Sequence, residues 1–267
     1  MLHAVVIGIN EYRDPQIPRL AFATSDAVAF ADAINNNLHE ADRSVHVLLD
    51  SDATHGEIRS AIGIDLPQRA NMQNDIVMIY FAGHGSPETV GGVDDVSRYL
   101  VAHDTEHDRI FSTAIDLERE IQQVFQRISE PKLVVMFVDA CFSGRAGGRT
   151  FEGPTLRVAR RRYRGGRARL HNLVLGEGRF ILSACDDSEL ASERNDLRHG
   201  LFTYALLRVL TSLASSDDPT IGVGDLYERV RGLVLRESNG RQRPVLNGRL
   251  AGARLPLFLP QGETAGQ

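Results

Sequence analysis

Two side chains able to do nucleophilic chemistry stand just beyond the ends of apolar runs. Leu133-Val-Val-Met-Phe-Val138 is unbroken and rich in β-branched residues, as in a strand covered on both faces, and it is followed by Asp139-Ala-Cys141 and the turn pair Ser143-Gly144. Cys141 thus stands at a carboxyl end, where ligands and catalytic groups collect in open α/β sheets. A second strand, Asp75 to Ala82, runs into Gly83-His84-Gly85. If the two strands are parallel neighbours, a thiol and an imidazole 57 residues apart in sequence emerge on one rim, as a nucleophile and its general base. Either residue alone would ordinarily be packing, because free cysteine behaves as a small hydrophobe. Their conjunction carries the signal. Cys185, ending the run 178 to 184, has the same setting, and periodicity does not rank the two cysteines.

The elements that must position this pair alternate between strand and helix. Residues 2 to 9, 44 to 50, 75 to 82, 99 to 102, 133 to 139 and 178 to 184 read as strands. A helix after residue 23 has Thr24 or Ser25 as its cap and Ala27, Phe30, Ala31 and Ile34 on one face. Asp26 falls in its first turn, where an acid favours the helix dipole. Further helices are expected at 54 to 70, capped by Thr54 with Glu57, at 113 to 128, at 200 to 213 and at 223 to 237. Residues 86 to 97 read as a polar loop, and 243 to 260 as extended and proline-punctuated, suited to a sheet edge. The alternation predicts an α/β fold, a mostly parallel sheet with helices on both faces.

Composition narrows the function classes. The chain has 267 residues and a net charge of −5. No apolar tract is long enough for a membrane helix, and the opening Met-Leu-His-Ala-Val-Val lacks the layout of a secretion signal, so a cytoplasmic protein is expected. Two cysteines make no disulfide framework, and no Cys/His cluster has zinc spacing. Residues 145 to 169 hold nine arginines against the single acid Glu152. Such a run reads as a solvated loop or an anion-binding patch, and Tyr163 alone makes no aromatic ladder for nucleic acid. No phosphate-binding glycine loop follows the first strand, and no Gly-x-Ser-x-Gly elbow occurs, which speaks against nucleotide-binding and serine-hydrolase readings.

Tyr80-Phe-Ala-Gly-His-Gly85 and Val138-Asp-Ala-Cys-Phe-Ser-Gly144 resemble the histidine and cysteine motifs of the caspase/metacaspase clan of C14-type peptidases, in the Asp-Ala-Cys form of bacterial metacaspases. The likeness extends to Val6 through Asn10, Leu20 through Asp26, Ser183 through Asp187 and His199 through Tyr204. It implies a six-stranded caspase sheet, with a large-subunit part at 1–144, an intersubunit loop at 145–177 and a small-subunit part at 178–260; residues 261–267 read from their composition as a disordered tail. It also ranks Cys141 over Cys185 and implies a His84/Cys141 dyad with no third catalytic residue. The activity implied is a cysteine endopeptidase with Gly85 and Cys141 amides as oxyanion donors. By the same resemblance Asp26, Asp139 and Asp187 line the P1 pocket, which favours Arg over Lys because a guanidinium accepts bidentate pairing. Asp26 and Asp139 have the alternative of pairing with local arginines. In this clan the stretch after the cysteine strand is cut during activation, which makes Arg160, Arg161, Arg162 and Arg164 candidate self-cleavage sites, or sites for an upstream protease. No cofactor is expected. Calcium is not supported, since Asp94, Asp95, Asp104 and Asp108 do not by themselves supply six converging oxygens. The competing reading is a catalytically silent scaffold of the same fold.

Overall fold

The computed structural model describes residues 1–90, 96–143, 148–151, 155–156, 175–186, 189–214, 221–248 and 254–255. Its strands are β1 Leu2–Gly8, β2 Arg43–Leu49, β3 Ile76–Ala82, β4 Gly85–Val90, β5 Val96–Leu100, β6 Ile115–Asp116, β7 Leu133–Asp139, β8 Thr155–Leu156, β9 Arg179–Ser183, β10 Glu193–Arg194, β11 His199–Gly200, β12 Ile221–Gly222, β13 Val245–Asn247 and β14 Arg254–Leu255. Its helices are α1 Ala23–Asn37, α2 His55–Ser60, α3 Leu66–Arg69, α4 Ile110–Thr113, α5 Arg119–Arg127, α6 Leu201–Ala214 and α7 Val223–Glu237.

Six strands form the main sheet in the order β13-β9-β7-β3-β1-β2. All pairs are parallel except β13 with β9, so the Val245–Asn247 part of the proline-punctuated segment forms an antiparallel edge, whereas β14 pairs with β12 apart from the main sheet. Alternation along each central strand divides the core in two. Val77, Ile79 and Phe81 of β3 join Val134, Met136 and Val138 of β7 in one apolar cluster with α2, α3 and α5. Met78 and Tyr80, with Leu133, Val135 and Phe137, join the other cluster with α1, α6 and α7. Helices therefore cover both faces, as the alternation predicts. Among the described residues no helix is long and apolar enough to cross a membrane.

Three local expectations are corrected. Residues 86 to 97 are not simply a loop: β4 and β5 form an antiparallel hairpin extended by β6. The helix expected over 113 to 128 is broken, because Ile115 and Asp116 pair with Leu100 and Tyr99 and leave only α5 helical beyond them. Helix α1 is not capped by Thr24 or Ser25; the Asn10 side-chain oxygen accepts the Ala23 and Thr24 amides at 2.7 and 3.3 Å. Tertiary contact supplied what a local cap usually does. Thr54 does cap α2, accepting the Glu57 amide at 3.2 Å.

Candidate active site

Strands β3 and β7 are parallel neighbours in a register that sets Ala82 opposite Asp139. His84 and Cys141 each follow two residues later, so both leave the sheet at the same level and on the same rim. His84 is held on three sides. Its amide donates to the Tyr12 hydroxyl at 2.8 Å, the Tyr12 ring lies 5.2 Å from the imidazole, and Phe151 meets the imidazole edge-on at 5.4 Å. Nε2 lies 2.8 Å from the Pro18 carbonyl, which can only accept, so Nε2 carries the proton and Nδ1 the lone pair. Nδ1 is buried without a hydrogen-bond partner. Burial is the main cause that lowers the His84 pKa from 6.5 to about 4, and the nearby Arg149 charge lowers it further. The imidazole is therefore neutral at physiological pH.

Cys141 is fully buried. As a thiol it donates to the Glu189 carbonyl, and the Ser143 hydroxyl lies 3.6 Å from the sulfur. A hydrogen bond from Cys185 is the largest influence on its pKa and, aided by Ser143, outweighs burial to bring it down to about 6. Cys185 carries the complementary shift, well above the usual thiol range, because it keeps the proton that it shares with Cys141.

Asp26 on α1 and Asp139 at the end of β7 face one another across a buried pocket, and the guanidinium of Arg149 lies between them. Arg149 has no exposed surface. One end of its fork, Nη2, pairs with Asp26 and at 3.3 Å with Glu193; the other, Nη1, pairs with Asp139 at 2.9 Å. Thr203 donates its hydroxyl to Asp139 at 2.6 Å, while the Gly200 amide at 3.0 Å and His199 Nδ1 at 2.5 Å engage Asp26. Burial pushes the Asp139 carboxyl up against the opposing pull of Arg149. Burial alone would lower the Arg149 pKa, and the carboxylates of Asp139 and Asp26 raise it instead.

The backbone of Arg149 is as fully engaged as its side chain. Its carbonyl oxygen accepts both the Gly85 amide at 3.0 Å and the Cys141 amide at 3.1 Å, and its own amide donates to the Ala191 carbonyl at 3.0 Å. Asp26 and Asp139 therefore pair with a local arginine, the alternative left open by the sequence. Beside it, a cavity of about 420 Å³ runs past Pro18, Leu20, His84, Leu190 and Glu193.

Of the site residues expected from sequence, His84, Gly85, Cys141, Asp26 and Asp139 converge here. Asp187 and Arg160, Arg161, Arg162 and Arg164 lie outside the described residues, as do Asp94 and Asp95. Asp104 accepts the His55 amide at 2.7 Å and Asp108 pairs with His107, so both have local duties. Sequence reasoning missed the Pro18 carbonyl, which is a backbone group with no side-chain signature. It also missed Glu193, which accepts the Ala21 and Phe22 amides as well as Arg149, and Arg149 itself, hidden among nine arginines.

The family model for the caspase domain matches residues 1–253. A Geobacter sulfurreducens protein solved as a structural-genomics target has a similar structure, with a TM-score of 0.66 at 19% identity over 97% of each chain. Caspase-1 from Spodoptera frugiperda is similar over 98% of this chain and 92% of its own, with a TM-score of 0.60 at 16% identity. Among curated proteins none matches.

Proposed function

Because the chain belongs to the caspase domain family, we propose that it is a cysteine endopeptidase that hydrolyses the peptide bond after a basic residue, arginine before lysine. The observation that carries the reading is the convergence of the Gly85 and Cys141 amides on one acyl oxygen whose residue holds its guanidinium among Asp26, Asp139 and Glu193. In this reading the reactive form is the one in which the pair holds a single proton, which passes from Cys141 Sγ to His84 Nδ1 as Sγ attacks the carbonyl carbon. The oxyanion forms between the two amides, where preorganised donors are worth most. Nδ1–H then protonates the departing amine as the C–N bond breaks, leaving a thioester. Water, deprotonated at Nδ1, hydrolyses the thioester and restores the thiol. Pro18 has a positioning role, since it fixes which nitrogen does this work.

Preference for arginine rests on the fork. Asp26 and Asp139 engage opposite ends of a planar guanidinium, and a single ammonium cannot bridge both. Three carboxylates would repel an aspartate at the same position.

The test uses fluorogenic peptides with Arg, Lys or Asp at P1, on the wild type and Cys141→Ala. Turnover of the Arg peptide, at least tenfold slower with Lys, absent with Asp and absent in the variant, is expected. Turnover of the Asp peptide would overturn the pocket assignment, and Cys141-independent turnover would overturn the mechanism.

A further inference from the structure

We propose that Cys141 and Cys185 form an oxidation site: a hydroperoxide oxidises the Cys141 sulfur, the Cys185 thiol resolves the product as an internal disulfide, and a dithiol reductant restores the pair. The proposal starts from the nucleophile of the protease reading above and gives its neighbour a role that peptide hydrolysis leaves unused. Its thiol chemistry is measured without any peptide substrate, so the two readings stand or fall separately.

The chain's two cysteines stand just beyond the ends of adjacent strands. Strands β7 and β9 pair in parallel up to Val138 opposite Ser183, and the Ala184 amide extends the ladder by donating to the Val138 carbonyl at 2.8 Å. Cys185 Sγ lies 3.8 Å from the Ala140 carbonyl, which places it beside the peptide that joins Ala140 to Cys141. With strands about 4.8 Å apart and a rise of about 3.3 Å per residue, diagonal neighbours on such a ladder have Cα atoms about 6 Å apart, within the range of about 4.4–6.8 Å that a disulfide spans. The side chains also share a face. Strict alternation would turn Cys185 away from Ala184, but strand β9 ends at Ser183, and Ala184, Cys185 and Cys141 all join the cluster under α1, α6 and α7. There Cys185 donates its S–H to the Cys141 sulfur.

The contact divides the two roles that disulfide formation needs. Cys141 ionises at about pH 6 and is a thiolate at neutral pH, the form that attacks a peroxide, while Cys185 keeps its proton in reserve. In the first step an S–O bond forms on Cys141 as the peroxide O–O bond breaks. The sulfur gives up two electrons, and the reduced peroxide leaves as an alkoxide or hydroxide that takes a proton from water. In the second step the Cys185 sulfur attacks the Cys141 sulfenic acid, the S–S bond forms as the S–O bond breaks, and the Cys185 proton leaves with the oxygen as water. The Glu189 carbonyl and the Ser143 hydroxyl also reach the Cys141 sulfur, but neither resolves a sulfenic acid, and Cys185 is the one other thiol in the chain. Both cysteines are buried, which keeps a bulky outside thiol from competing. A hydroperoxide is smaller than the peptide that the site must admit. The disulfide withdraws the nucleophile, ties β7 to β9, and spares Cys141 the irreversible step to a sulfinic acid.

Reduced chain, freed of reductant, is treated with a tenfold excess of hydrogen peroxide, denatured in iodoacetamide and weighed intact, alongside Cys185→Ser and Cys185→Ala. Wild type should lose both alkylation sites together, yield a Cys141–Cys185 cross-linked peptide on digestion, and regain both sites after dithiothreitol. In the variants Cys141 should instead accumulate as sulfinic acid, which dithiothreitol does not reverse. The near-isosteric serine keeps the result readable where alanine disturbs the fold. Turnover of an Arg peptide, followed in parallel, should fall at least tenfold in oxidised wild type and return on reduction, and should not return in the variants. Oxidised wild type that keeps both thiols, keeps Cys185 open to alkylation, or forms disulfide-linked dimers overturns the inference and leaves the protease reading standing. Paired loss of the thiols in a chain that turns over no Arg peptide in its reduced form upholds the inference and overturns the protease reading.

Discussion

The imidazole of His84 illustrates how much one hydrogen bond decides. With Nε2–H fixed on the Pro18 carbonyl and burial disfavouring a second proton, the ring has one available basic nitrogen. The cost appears in the acid stability of the fold. A histidine whose pKa is lowered from 6.5 to about 4 on folding stabilises the native state fully above pH 6.5. That contribution is lost as the pH falls from 6.5 to about 4, because the unfolded chain takes up the proton first. The loss is about 3 kcal/mol over that window. Urea unfolding at pH 7 and pH 4.5 should therefore show a steeper loss for wild type than for His84→Gln, which cannot titrate; equal losses would rule out a buried neutral imidazole. Cys141 carries a second residue-scale prediction. Its ionisation near pH 6 leans first on the Cys185 thiol. Removing that donor with Cys185→Ala should raise the midpoint by about one to two units, since a hydrogen bond to a charged group is worth roughly 1.5–3 kcal/mol. Thiolate absorbance near 240 nm, taken as the difference from Cys141→Ala, reads it directly.

At the scale of elements, the pocket depends on the first turn of α6 and the short strand before it. Gly200 closes β11 and lets α6 approach: a Cβ there would stand 2.6 Å from Asp139 Oδ2 and 2.8 Å from the guanidinium of Arg149. Gly200→Ala should therefore lower kcat/KM for an Arg peptide at least tenfold, chiefly through KM, while the Cys141 ionisation profile stays in place. An unchanged KM would show that the guanidinium is not held there. The same junction shows what was legible in sequence. Strands β3 and β7 are buried on both faces, so their apolar runs announce them, and the motifs after them mark His84 and Cys141. The β4–β5 hairpin is less visible because its buried positions include Ser86, Glu88 and Arg98, polar side chains that read as loop until their partners are known. Glu118 pairs with Arg98 at 2.7 Å, and Tyr99 donates to Glu88 at 3.2 Å. The cap of α1 and the tautomer of His84 depend on Asn10 and Pro18, contacts between distant segments that no local pattern encodes.

For the whole molecule, the consequence of any cut within residues 145–177 follows from where the strands lie. Such a cut falls between β7 and β9, which are adjacent, parallel and hydrogen-bonded in the centre of the main sheet, from Val134 opposite Arg179 to Val138 opposite Ser183. Residues before and after the cut also share the core cluster under α1, α6 and α7: Phe30, Tyr80 and Phe137 come from one side, Phe180, Phe202 and Leu206 from the other. Thr203 spans the same division twice, to Asp139 and through its hydroxyl to Tyr80 at 2.5 Å. Burial of this kind contributes about 1.5–3 kcal/mol for each large apolar side chain, so the two pieces have far more holding them together than the one covalent bond that is lost. The cut chain should therefore remain a single particle. Native mass spectrometry of chain cut once within residues 145–177 should find the mass of the whole chain plus one water, while denaturing, reducing conditions release two fragments. Fragments that separate under native conditions would show that the peptide bond, and not the β7–β9 seam, keeps the sheet whole.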